Sequence, residues 1–145
     1  MLVEHHIFDD RIENNLSATF KAGVPRNKAI EHFKVLFKEA EFIFIYDAHL
    51  KIDKLRELVE KCQIKCDICL EIEKYNELNT NLALTQISKN IKPDRHHNLN
   101  KHNTHDRYIV IDDNIEIILT SGIDNFLNQN KDFTYVIREI KKDKK

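Results

Sequence analysis

The sequence predicts an α/β domain: a mixed β-sheet flanked by helices, with helices on both of its faces. Three observations predict it. Helical and strand patterns alternate from residue 26 to residue 89, a hairpin signal follows at 107–119, and 145 residues suit one hydrophobic core rather than two.

The elements are read in order. Residues 1–25 carry a mixed pattern ending at Gly23-Val24-Pro25, and are expected to form an N-terminal arm or an edge strand. From Arg26, the residues Ile30, Phe33, Phe37 and Ala40 recur at helical spacing, with Leu36 on the same stripe and Pro25 ahead of the helix start. Glu41 to Tyr46 is a continuous apolar run, the pattern of a strand buried on both sides. A second helix follows with Ile52, Leu55, Val59 and Cys62 on its apolar face. Ile64 to Ile72 alternates and reads as a strand. Tyr75 to Lys89 reads as one helix with Leu78 and Leu82 inward. Residues 91–104 read as a His- and Asn-rich loop, with a short strand at its start as the alternative. Arg107 to Ile111 and Ile115 to Leu119 form a hairpin about Asp112-Asp113-Asn114. One or two helical turns span Ser121 to Leu127, and Asp132 to Ile140 is the last strand. The domain is thus expected over 26–140, followed by a basic tail at 141–145.

Composition narrows the function. A formal net charge of −1 does not suit a protein that coats nucleic acid or a membrane surface through its overall charge. Any anion site must therefore be local. Between Lys89 and Arg107, five basic residues (Lys89, Lys92, Arg95, Lys101, Arg107) stand against two acids, and His96, His97, His102 and His105 lie in the same stretch. No apolar run approaches a membrane span, and the N-terminal residues lack the pattern of a signal peptide. Three cysteines, an odd number, argue against a disulfide framework and for a reducing compartment, so the expected location is cytoplasmic. Cys62, Cys66 and Cys69 match the spacing of an iron–sulfur motif, but they fall on apolar stripes and read as core residues. The histidine group matches no familiar zinc spacing, so neither metal nor cofactor is expected.

The chemistry concentrates in His105-Asp106-Arg107-Tyr108-Ile109-Val110-Ile111-Asp112. In a strand, residues two apart share a face, so His105 and Arg107 point the same way. An imidazole can attack phosphorus or hydrogen-bond its oxygens, and a guanidinium presents a planar fork of donors to two of them. Asp112, at the strand end, orients a partner or fixes the turn.

This His-x-Arg-x4-Asp spacing resembles the His-x-Lys-x4-Asp signature of the phospholipase D superfamily. Thr120-Ser121 resembles that family's small hydroxyl element, and Asn130-Lys131-Asp132 its Asn-x-Glu element with Asp for Glu. Phe42 to Asp47 is similar to its opening strand. A narrower resemblance joins His105-Asp106-Arg107 and Gly122-Ile123-Asp124-Asn125-Phe126 to the C-terminal phospholipase D-like domain of microtubule-interacting-and-trafficking (MIT) domain proteins, a non-catalytic phosphoinositide-binding branch. The resemblance implies catalytic-type positions at His105, Arg107, Asp112, Ser121 and Asp132. Phosphate would be held by His105, Arg107 and Ser121 together with Lys101 of the basic stretch.

Two functions follow from it. One is a domain that binds a phosphodiester or a phosphorylated headgroup through a degenerate His/Arg/Asp site. Arg107 in place of Lys and the single motif favour this reading. The other is a metal-independent phosphodiesterase, a nuclease, working through a phosphohistidine as a homodimer. There one His105 attacks phosphorus, its mate protonates the leaving oxygen, and Arg107 and Ser121 stabilise the charge. The expected partners are accordingly nucleic acid or a phosphorylated lipid headgroup. His49-Leu50-Lys51 is a second His-x-Lys, but Arg56 stands where Asp is required, and the triplet reads as coincidence.

Overall fold

A computed structural model describes residues 3–5, 16–94 and 107–140, of which 3–5 and 94 are described by their backbone alone. Eight strands form one mixed sheet in the order β1-β2-β8-β7-β6-β3-β4-β5. They are β1 (Val3–His5), β2 (Leu16–Phe20), β3 (Phe42–Asp47), β4 (Asp67–Glu71), β5 (Ile91–Asp94), β6 (Arg107–Ile111), β7 (Ile115–Leu119) and β8 (Phe133–Glu139). β3, β4 and β5 run parallel, while β3 pairs antiparallel with β6 and every remaining pairing is antiparallel. The helices are α1 (Asn27–Lys38), α2 (Ile52–Lys61), α3 (Ile72–Leu78), α4 (Ala83–Ile87) and α5 (Gly122–Leu127).

Strand alternation separates two faces. Ile43, Ile45, Ile109, Ile111, Ile117, Leu119 and Tyr135 join one core, and each of the five helices buries its apolar stripe in that same core. Phe33 stacks on Phe126 at 4.6 Å and meets Tyr135 edge-on at 4.9 Å, tying α1, α5 and β8 together. On the opposite face Phe44, Tyr108 and Val110 form a second cluster, with Tyr46, Cys69 and Ile140 against it. Among the described residues, then, the helices cover one face rather than the two expected. The continuous apolar runs of β3 and β6 are nonetheless buried on both sides, each such side chain contributing about 1.5–3 kcal/mol.

Three boundaries differ from the sequence reading. β2 lies inside the sheet, and Ala18 and Phe20 are core residues, so this part of 1–25 is not an arm. The strand expected from Ile64 begins only at Asp67. Gln63 adopts φ 53, and the N–H groups of Ile64 and Gln63 donate to the carbonyls of Val59 (3.0 Å) and Glu60 (3.4 Å), which closes α2 with a Schellman turn and makes buried Ile64 its apolar cap. The helix expected over 75–89 is broken at Asn81 and Leu82, with φ 56 and 60. The Asn79 side chain accepts from Leu84 N–H (3.2 Å), competing with helical continuation, so Leu84 is buried and Leu82 is exposed. Burial pushes the Cys62 thiol up to about 12 and the Cys66 thiol to about 11, so both are thiols rather than thiolates at neutral pH. Among the described residues no helix is long and apolar enough to cross a membrane. The tail at 141–145 lies outside the described residues.

Candidate functional site

Because β6 is antiparallel to both β3 and β7, the end of β3, the start of β6 and the end of β7 meet at one edge of the sheet. Here the sheet changes from parallel to antiparallel pairing, and the loops into α2 and α5 leave it side by side on the helix-covered face. An open cleft of about 130 Å³ lies there, lined by Asp47, His49, Leu50, Lys51 and Lys54 on one side and by Arg107, Ser121, Asp124 and Asn125 on the other.

Arg107 is the first residue of β6 and the cross-strand partner of Asp47. It shares a face with Ile109 and Ile111, the face that the helices cover, so it emerges between α2 and α5. Asp47 is buried, and its two carboxylate oxygens accept the N–H groups of His49 and Ile123, each at 2.9 Å. One side chain therefore joins the loop before α2 to the first turn of α5. Gly122 makes the crossing possible. A Cβ there would lie 2.8 Å from Asp47 Oδ2 and 3.0 Å from Arg107 Cδ, and its φ of +85 is one that glycine adopts without strain.

The lining has three cations, Lys51, Lys54 and Arg107, and two carboxylates, Asp47 and Asp124. Asp47 is engaged by backbone donors, and Asp124 lies 3.5 Å from Lys54. Partial desolvation lowers the Lys54 pKa, but Glu57 and Asp124 outweigh it and the net shift is upward, so Lys54 is firmly a cation. α2 also begins at this cleft with no side-chain cap, its dipole adding positive potential. The arrangement can hold an anion.

Of the sequence-derived site residues, Arg107 and Ser121 come together in the cleft. His105 and Lys101 lie outside the described residues. Asp112 is at the other end of β6, where its Oδ1 accepts the N–H groups of Glu41 and Phe42, both at 3.0 Å, so its role is to fix the turn. Asp132 stands at the same sheet edge as the cleft without lining it, and its Oδ1 accepts Ala22 N–H at 2.7 Å. Asp47, His49, Lys51 and Lys54 were not among the expected site residues. The signals were the Tyr46-Asp47 ending of an otherwise apolar strand and the His49-Leu50-Lys51 triplet, which the sequence reading took as coincidence.

A second arginine frames the site from behind. Arg26 is buried, and its guanidinium donates to the carbonyls of Val24, Asn125, Phe126, Asn128 and Lys131. Burial lowers its pKa and Asp132 opposes that shift. It fixes the α5–β8 connection, including Asn125 of the cleft. This inward turn also explains why α1 starts at Asn27 with no side-chain cap.

The fold and site define a class: a mixed α/β domain with a small cationic cleft where the pairing direction changes. No family model and no curated protein matches the chain. Among solved structures it is similar to NucT from Helicobacter pylori, at 17% identity and a TM-score of 0.45, over 86% of this chain and 85% of that one. It is also similar to Nuc from Salmonella typhimurium, a phospholipase D family member, at 12% identity and a TM-score of 0.38, over 85% and 83% of the two chains.

Proposed function

We propose that this is a phospholipase D-like domain that binds a phosphodiester or phosphorylated headgroup at the β3–β6 cleft. Arg107 grips the phosphate and Ser121 donates to it, with His105 beside them as its position in the motif implies. The observation that carries this reading is that Arg107 and Ser121, from separate elements, line one cleft around a glycine that admits no side chain. A guanidinium–phosphate contact is charge-assisted and contributes about 1.5–3 kcal/mol, roughly tenfold or more in affinity.

Titration of a single-stranded oligonucleotide, and separately of vesicles bearing a phosphorylated headgroup, tests the reading. Binding should weaken with salt. For single strands the slope falls by about 0.7 per cation removed, so Arg107→Ala should lower both affinity and slope. Equal binding by the variant and the parent would remove Arg107 from the site.

The pairing of Ser121 with Arg107 in one cleft is also compatible with a catalytic reading, a metal-independent phosphodiesterase acting as a homodimer. Release of nitrophenol from bis(p-nitrophenyl) phosphate in EDTA would support it. No turnover would leave the binding domain.

A further inference from the structure

His49 and Lys51 do not repeat the motif, yet both line the cleft opposite Arg107. The loop that carries them is held from several sides. Asp47, 3% exposed, accepts the His49 N–H. Leu50 N–H donates to the Asp47 carbonyl at 3.0 Å, and the Leu50 side chain is buried in the core. Lys74 reaches in from α3, only 7% exposed. Its ammonium donates to the carbonyl of Ala48 at 2.8 Å and of Leu50 at 3.4 Å, and meets Glu77 at 3.2 Å.

Burying an ammonium and a carboxylate is costly unless each is well bonded. Here both are bonded to the backbone of one short surface loop. The side chains of His49 and Lys51 stay exposed while the chain beneath them is fixed. A rigid backbone presenting two nitrogen donors into a cleft is a pre-organised wall, which lowers the ordering cost of binding. The volume argues in the same direction: an open cleft of about 130 Å³ has room for a phosphate group.

We propose that His49 and Lys51 form the second wall of the anion site, so that a single chain grips a phosphate group between this loop and the Arg107–Ser121 side. The proposal rests on the phosphate-binding reading above and extends it. It makes the binding site complete without a second copy. It also makes the phosphate the recognised group, shared by nucleic acid and phosphorylated headgroups.

The test is a titration of inorganic phosphate into the 15N-labelled full chain at constant ionic strength. The amides of His49, Lys51 and Ser121 should shift together with one dissociation constant. The exposed pair His49→Ala/Lys51→Ala should weaken binding at least tenfold and leave distant amides unmoved. Competition by a single-stranded oligonucleotide or by a soluble inositol phosphate then identifies the source of the phosphate. If Ser121 shifts alone and the double variant binds like the parent, the second wall is wrong while the function stands. If Arg107→Ala binds like the parent, both are wrong. Arg107→Ala chains mixed with the double variant should recover no binding. Recovery would mean that the two walls come from different copies, which overturns the single-chain site.

Discussion

The two ends of β6 carry opposite duties. At the Arg107 end three chain segments converge, a carboxylate is buried, and Gly122 leaves the space where an added Cβ would meet side chains at 3 Å or less. At the Asp112 end the residues Asp112 and Asp113 take φ 51 and 58 in a tight hairpin turn, and the Asp112 carboxylate ties that turn to the start of β3. A strand rise of 3.3–3.4 Å per residue separates the two ends by about 17 Å. A motif that is contiguous in sequence thus splits into a part that meets ligand and a part that holds the strand in place. The spacing of Asp112 reports on the length of β6, not on the chemistry of the cleft.

The sharpest way to break this comparison is Gly122→Ala. The added Cβ meets Asp47 and Arg107 and demands a strained φ, so stability should fall by about 3 kcal/mol, about 10 °C in Tm, and phosphate binding should be lost with it. Unchanged thermal unfolding would mean that the crossing is looser than described. Asp112→Ala comes next. It removes two charge-assisted bonds to backbone N–H groups, and urea unfolding should show a loss of about 2 kcal/mol while ligand affinity is retained. Gly23→Ala is smaller still. Its φ is +91, but nothing lies within 4 Å of the added carbon, so backbone strain alone should cost about 1 kcal/mol. The gap between the two glycine variants measures the close contact at the site.

The mildest effect lies away from both ends. Burial lowers the His32 pKa below 6.5 and raises that of Tyr135 to about 12, so a neutral imidazole and a neutral phenol share a hydrogen bond at 2.6 Å. The unfolded chain binds the His32 proton more readily. Stability is therefore full above about pH 6.5 and falls as pH drops from there through the lowered folded value. His32→Gln should flatten that part of the pH–Tm curve. An unaltered curve would assign the acid sensitivity to other groups.

Much of the fold was legible because pattern and burial agree. β6 and β7 match the expected bounds, since alternating or continuous apolar residues leave little choice of register. The breaks at Gln63 and Asn81 were not legible, because each depends on a non-glycine residue in the left-handed region held by a particular cap or side-chain bond. The site was half legible. Arg107 and Ser121 carry a local signal. Asp47, His49 and Lys51 reach the cleft only because β3 pairs antiparallel with β6, and Lys74 braces them from an element more than twenty residues away. Side-chain type and spacing do not encode that meeting; sheet topology does.

The most direct measurement compares Arg107→Ala with Asp112→Ala in one buffer, recording oligonucleotide affinity and urea stability for both. The account predicts a crossed result: Arg107→Ala loses about tenfold or more in affinity and little stability, while Asp112→Ala loses about 2 kcal/mol of stability and no affinity. If the two variants lose affinity equally, or if Asp112→Ala alone loses it, the division of β6 into a binding end and a structural end is contradicted.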